Sequence, residues 1–215
     1  MDLILESQTM LLKGLLVTVE VAVPVVLLSL IFGVLLGTVL VYGPYPARWL
    51  IRGLSDVIRG IPVLVLIFSV YYGLPPLGFN LDSFTAAVAA LTIFATAQVV
   101  DIARGAIQSI HFGQTEAGKA IGLGFWSRMF YVVFPQATRR FLPPWINNVT
   151  DTVKGSALVS LVGIVDLMLA IQQAAGRTYV AMPFYITGTL IYFAINYSLS
   201  SASRWLEARF AYIRE

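Results

Sequence analysis

The chain has no cysteine and a single histidine, His111, among its 215 residues. Without thiols there is no disulfide, no thiolate metal site and no cysteine nucleophile, and one imidazole cannot form a histidine metal cluster by itself. Charge is also scarce: Asp, Glu, Lys and Arg make up 12% of the chain, about half the share of a soluble globular protein. The apolar share is large, at 58%, with a mean hydropathy of +0.82. A surface this poor in charge faces something other than water, which excludes an ordinary soluble fold and points to a bilayer. No G-x-x-x-x-G-K-[ST] phosphate loop is present, so any ATP hydrolysis belongs to a partner. The 14 Lys and Arg are scattered among 11 Asp and Glu, form no basic run and give no sign of a nucleic-acid partner. Acidic Asp2 and Glu6 stand where a secretory signal carries basic residues, so the first apolar segment is expected to stay in the mature chain. With no internal repeat or low-complexity linker, residues 1–215 read as one transmembrane domain.

A crossing helix needs about 20 mostly apolar residues, so the gaps between successive charges measure the spans. Four gaps reach or approach that length: from Glu20 to Arg48, from Arg59 to Asp82, from Asp82 to Asp101, and from Arg177 to Arg204. A fifth segment, Phe141 to Val165, is apolar overall but carries Asn147, Asn148, Asp151 and Lys154. Charge placement decides whether it crosses, because short loops rich in Lys and Arg stay cytoplasmic. With the amino terminus outside, Arg48, Arg52, Arg59, Arg104, Lys119, Arg128, Arg139 and Arg140 lie inside, and the loop from Leu74 to Asp82, with Pro75 and Pro76 and no Lys or Arg, reads as external. Only if the fifth segment crosses do Arg204, Arg209 and Arg214 join them, leaving Lys13 and Arg177 outside. The expectation is an all-α integral membrane protein with five transmembrane helices, amino terminus outside and carboxyl terminus cytoplasmic.

The longest polar stretch is the second inner loop, within about 105–135. Inside it, Gln114 to Gly122 reads as a short amphipathic helix with Glu116 near its start, suited to the helix macrodipole. Physics alone leaves open whether this helix docks a partner or only closes a loop at the interface. Its residues, however, follow a spacing: Glu116, Ala117 and Gly118, three residues, Gly122, nine residues, then Val132, Phe134 and Pro135. This resembles the E-A-A…G…I-x-L-P signature of permease subunits of bacterial ATP-binding-cassette importers. Arg59-Gly60-Ile61-Pro62, Arg104 to Ile110, Gly113-Gln114 and Pro135-Gln136-Ala137 resemble the polar amino-acid branch, the histidine/glutamine/arginine-type permeases. Asp101 stands where that branch commonly carries Glu, and Lys154-Gly155-Ser156-Ala157-Leu158 departs from its usual K-[ND]-[TS]-S-L run.

The resemblance implies a type I importer permease fold in the bacterial cytoplasmic (inner) membrane, forming half of a pathway for ATP-driven uptake of a polar or charged amino acid. It implies no catalytic residue, metal or cofactor in this chain, with ATP and Mg bound by the partner. The implied partners are two ATPase subunits, a second permease subunit, an extracytoplasmic solute-binding protein and the lipid bilayer. Glu116, Ala117, Gly118, Gly122 and Pro135 would belong to a coupling helix and its loop, which meet the ATPase. An opine or a zwitterionic compatible solute is the alternative cargo, and an ion-coupled secondary transporter the alternative class.

Polar residues at membrane depth are candidates for a pathway, because they tend to face protein or water and to pair. Helical spacing puts Asn147, Thr150, Asp151 and Lys154 within about a third of the helix circumference, with Thr150 at one edge of that arc and Asp151 at the other. Asp151 and Lys154 can meet a zwitterion, or pair with each other and only fix packing. Glu20, about one and a half turns into a helix starting at Leu15, can attract a cation or reach the headgroups. Asp101 and Arg104 suit a structural salt bridge, and Gly33 with Gly37 suits close helix packing. Pro24 is placed to kink the first helix, and Pro143 and Pro144 fit a first turn or a break.

Overall fold

A computed structural model describes residues 2–210; Arg214, used in the charge count above, lies outside the described residues. Among these residues all regular structure is helical. The order is α1 (Asp2–Tyr42), α2 (Tyr45–Gly60), α3 (Val63–Gly73), a 3-10 turn (Pro75–Leu77), α4 (Ser83–Gln108), α5 (Phe112–Ala120), α6 (Phe125–Arg128), a π turn (Met129–Val133), α7 (Phe134–Ser156), a 3-10 turn (Ala157–Val162), α8 (Leu167–Thr178) and α9 (Ala181–Phe210).

The bundle is organised around α1 and α4, which pack side by side for most of their length. A Cβ on Gly37 would stand 2.7 Å from the Ala103 Cβ and 2.9 Å from the Val100 carbonyl oxygen, and one on Gly33 would collide with Val99. The small-residue pair therefore sets the close approach expected of it. Beyond it, Val21 and Val25 of α1 pack with Ile67 of α3, Ala87, Ala90 and Leu91 of α4, and Val159 and Val162. At the other end Leu11 joins Leu167, Ala170, Ile171 and Phe184 of α8 and α9.

Apolar length and helical length differ in three places. The first helix starts at Asp2 rather than Leu15, so Glu20 lies about five turns in rather than near an end. The apolar run after Arg59 does not fill with helix: Gly73 and the pair Pro75-Pro76 stop α3 after 11 residues, about 16 Å. Pro143 and Pro144 neither start nor break a helix, since α7 begins at Phe134, takes Pro135 in its first turn and runs through both. Pro135 has no N–H to donate to the Tyr131 carbonyl, and its ring crowds that group. The backbone widens into the π turn Met129–Val133 just ahead of it.

Two helices, Ile4–Tyr42 and Ser83–Gln108, are each long and apolar enough to cross a membrane. Up to four crossings result if each bent pair counts as one: α2 with α3, bent by 101°, and Phe125–Val162 with Leu167–Thr178, bent by 53°. α9 has the length, at 30 residues, while its Thr, Ser, Asn and Tyr residues lower its hydropathy.

Candidate functional site

The loop that carries the E-A-A…G spacing folds as a helical hairpin between α4 and α7. His111 caps α5, its Nδ1 accepting from the Gly113 N–H at 3.1 Å. The helix runs from Phe112 to Ala120, starting and ending earlier than the sequence suggests. Glu116 is consequently in the middle of the helix, away from the macrodipole end, and it pairs with Lys119 at 2.8 Å on the exposed side.

Gly122 lies outside the helix and ends it. The Gly122 N–H bonds to the Lys119 carbonyl at 2.9 Å and the Leu123 N–H to the Gly118 carbonyl at 3.0 Å, the paired bonds of a Schellman motif. This turn places Gly122 at φ +82°, a left-handed conformation that an L side chain adopts at a cost. Gly118 is buried against Arg128: a Cβ there would stand 3.1 Å from that residue's aliphatic stem, a tight contact that a small shift of the stem would relieve. The Arg128 guanidinium in turn donates to the Leu123 carbonyl at 2.6 Å, clamping the turn. Gln136 of α7 donates to the Gln114 side chain at 3.4 Å. Glu116, Ala117 and Pro135 remain exposed, so the hairpin is fixed from behind and open in front.

His111, Arg128 and Gln136 escape a reading by spacing alone. His111 becomes a cap only because the helix starts at Phe112, two residues before the expected start, and Arg128 acts across a turn that only the fold closes.

The polar segment of α7 divides by face. Asn148 and Thr152 are buried, and Asn148 donates to Gln98 of α4. Val149 and Val153 line an apolar groove with α1 and α9. Asn147, Asp151 and Lys154 point away from the bundle; the Asp151 and Lys154 side chains pair at 2.8 Å while remaining 66% and 56% exposed. Thr150 departs from the expected face. It is buried, with its hydroxyl bonded back to the Ile146 carbonyl at 3.1 Å, because it sits at the edge of the arc and turns into the packed side.

Glu20 stands on α1, exposed, and shares no hydrogen bond or ion pair with the α7 residues among the described residues. Pro24, inside α1, lacks the N–H that would bond the Glu20 carbonyl in the regular helical pattern.

Asp101 is the hub of a network. Arg59, at the end of α2, bridges to it directly and also pairs with Asp56 at 2.5 Å, while Arg104 lies at 3.8 Å. The main partner of Asp101 is thus Arg59, from a different helix, rather than its neighbour Arg104. Near it a cavity of about 670 Å³ opens between α4, α7 and the end of α9, lined by Asp101, Gln136, Arg139, Arg140 and Glu207.

Asp166, fully buried, joins α8 to α1. Its Oδ1 accepts from the Leu169 N–H at 2.9 Å, and the Thr18 hydroxyl accepts from the Leu167 N–H at 3.0 Å. Gly14 makes room, since a Cβ there would stand 2.8 Å from the Asp166 carbonyl oxygen. An Asp ahead of the apolar run Leu167–Ile171 is an N-cap signal in the sequence. Among the described residues no group of three or more His, Cys, Asp or Glu could hold a metal ion.

The helical bundle thus carries a clamped hairpin between α4 and α7 and, among the described residues, leaves Asn147, Asp151 and Lys154 uncovered. The family model for the binding-protein-dependent transport system inner membrane component matches residues 29–212, and the chain belongs to that family. It is therefore a membrane permease component and not an enzyme. It is 38% identical to a probable glutamine ABC transporter permease of Bacillus subtilis, over 91% of each chain. To an arginine transport system permease of the same organism it is 33% identical, over 92% of this chain and 91% of the relative. Among solved structures, an amino acid ABC transporter crystallised with histidines superposes with a TM-score of 0.89 and 30% identity over 96% of each chain.

Proposed function

We propose that this chain is one half of the membrane pathway of an importer that takes up a polar or charged amino acid, driven by ATP that a separate subunit binds with Mg and hydrolyses. The observation that carries the reading is the hairpin itself. Its exposed residues Glu116 and Ala117, with Pro135 behind, sit on a helix whose end is locked by Gly122 and Gly118, so a force on α5 reaches α4 and α7 directly. One ATPase subunit docks there, two in the transporter with its two permease halves, and α5 is the coupling helix.

The open face of α7 supports a second permease subunit. Asn147, Asp151 and Lys154 are too polar to face lipid, and the described residues supply nothing to cover them, so a second copy or homologue completes the pathway. Asp151 and Lys154 then meet the ammonium and carboxylate of a zwitterion respectively, Thr150 backs them from the packed side, and Glu20 attracts cationic groups. A purified single permease subunit that transports on its own would refute the half-pathway reading.

Five crossings fit the packing. Arg59 meets Asp101 and Tyr71 meets Ser83 at 3.2 Å, and these two positions on α4 are separated by roughly 27 Å of helix. The stretch from Arg59 to Tyr71 therefore accompanies about two-thirds of the length of α4, although α3 alone is short. Residues 1–215 act as one permease domain, amino terminus outside and carboxyl terminus inside, in the bacterial inner membrane. Reporter fusions after Asn80, His111, Ala175 and Glu215 are expected to read outside, inside, outside and inside.

Relatives bearing glutamine and arginine names support the amino-acid cargo, which a solute-binding protein delivers from outside. Calorimetry of that binding protein against a panel of amino acids tests the cargo. A sugar or metal ion as its ligand would overturn the amino-acid assignment and leave the permease reading intact.

A further inference from the structure

We infer that α2 is an interfacial helix that binds anionic phospholipid headgroups through Arg48 and Arg52. The inference rests on membership of an inner-membrane family and is independent of the cargo. Helical spacing separates the residues of α2 cleanly. Leu50, Leu54, Val57, Ala47, Ile58 and Ile51 share one side, and Ser55, Arg48, Arg59, Arg52 and Asp56 share the other. Only one strip of this helix meets the protein. Ser55 is buried, and Ala47, Ile51 and Ile58 are half-buried, so contact with the bundle runs along one of the two borders between the apolar and polar sides.

The rest of the apolar side is left bare: Leu50, Leu54 and Val57 are 54%, 54% and 62% exposed. α3 packs inside the bundle through Ile67, and the 101° bend between α2 and α3 lays α2 across the end of the bundle. A helix so placed, apolar on one side and basic on the other, lies in the plane of a membrane interface. The exposed rings of Tyr45 and Trp49 fall on the polar side next to Arg52 and Asp56, at headgroup level, where such aromatics settle.

The three arginines are not equivalent. Arg59 is held by Asp56 and Asp101. Arg48 and Arg52, one turn apart, make no salt bridge among the described residues and remain exposed, across the helix from the bare apolar strip. Their guanidinium forks match phosphate oxygens, and acyl chains below the same headgroups would cover Leu50, Leu54 and Val57. Free cations on one side of a helix and uncovered apolar area on the other call for a ligand that is anionic at one end and hydrocarbon at the other.

The test is a titration of phosphatidylglycerol into the full-length chain, with phosphatidylcholine as the control lipid, reading retained lipid by native mass spectrometry. Each arginine near an anionic surface is expected to contribute about fivefold in affinity, so Arg48→Gln with Arg52→Gln should weaken phosphatidylglycerol binding about thirtyfold. Arg48→Lys with Arg52→Lys should keep most of it. Because the chain has no cysteine, Leu54→Cys takes a single spin label, expected to be reached by oxygen and shielded from a water-soluble nickel complex. Unchanged phosphatidylglycerol affinity in the double Gln variant overturns the proposal. So does a label at position 54 that both reagents fail to reach, which would mean protein covers the face. Loss of the ATPase subunit with lipid affinity intact overturns it too, assigning the two arginines to that partner.

Discussion

Gly122 and Gly124 offer a controlled comparison of conformation against space. A Cβ at either position meets nothing within 4 Å, so neither substitution creates a clash. They differ in backbone: Gly122 sits at φ +82° and Gly124 at −63°. For an L residue the left-handed conformation costs about 1–2 kcal/mol, and the cost falls on the turn that holds the Gly122 and Leu123 N–H groups. Gly122→Ala should therefore raise opening of this turn about 5- to 30-fold, and Gly124→Ala should leave it unchanged. Hydrogen exchange of the assembled transporter reads the opening at Gly122 and Leu123. Transport-linked ATPase activity reads its consequence, which is uncoupling with the subunit still in the membrane. Gly122→Leu adds bulk at the same strained position and should uncouple more strongly. Equal exchange and equal coupling in Gly122→Ala and Gly124→Ala would refute the reasoning, because the left-handed turn would then carry no load.

Further outcomes follow from other contacts. Gly37→Ala pushes a Cβ to 2.7 Å from the Ala103 Cβ and should cost about 1–3 kcal/mol as overpacking, seen as a lower melting temperature; Gly53→Ala, with nothing within 4 Å, should not. Asp151→Asn or Lys154→Met should lower uptake while assembly survives, and normal transport by both would reduce the α7 face to packing. Asp82 caps α4, and its bonds from the Thr85 hydroxyl and then the Thr85 N–H hold its carboxyl below the ordinary value. A lowered carboxyl contributes fully above the ordinary value and loses its contribution as pH falls through the lowered one. Exchange in the first turn of α4 should accordingly quicken on acidification, and Asp82→Asn, which still caps, should remove that dependence.

Some features of this protein depend only on composition and local order, and these the sequence determined by itself. Apolar length between charges requires a bilayer wherever the chain folds. Gly33 and Gly37 lie on one face of any helix that contains them, and the polar stretch around Glu116 forms a short helix, although Gly122, expected as its last residue, proves to lie beyond its end. The tertiary structure decided what depends on neighbours distant in the chain. The Pro75-Pro76 pair marked the loop from Leu74 in the sequence, but gap counting cannot detect that the run after Arg59 begins with a 101° bend, because a run of uncharged residues is apolar whether helical or not. Thr150 and Asn147 differ only by their place on a helix circumference, and which arc is buried depends on where α1, α4 and α9 pack. Arg59 and Asp101, like Asn148 and Gln98, are far apart in the chain and become partners only once α2 and α7 lie against α4. Periodicity carries information over a few turns of one helix, whereas pairing between helices is set by the packing that brings their surfaces together.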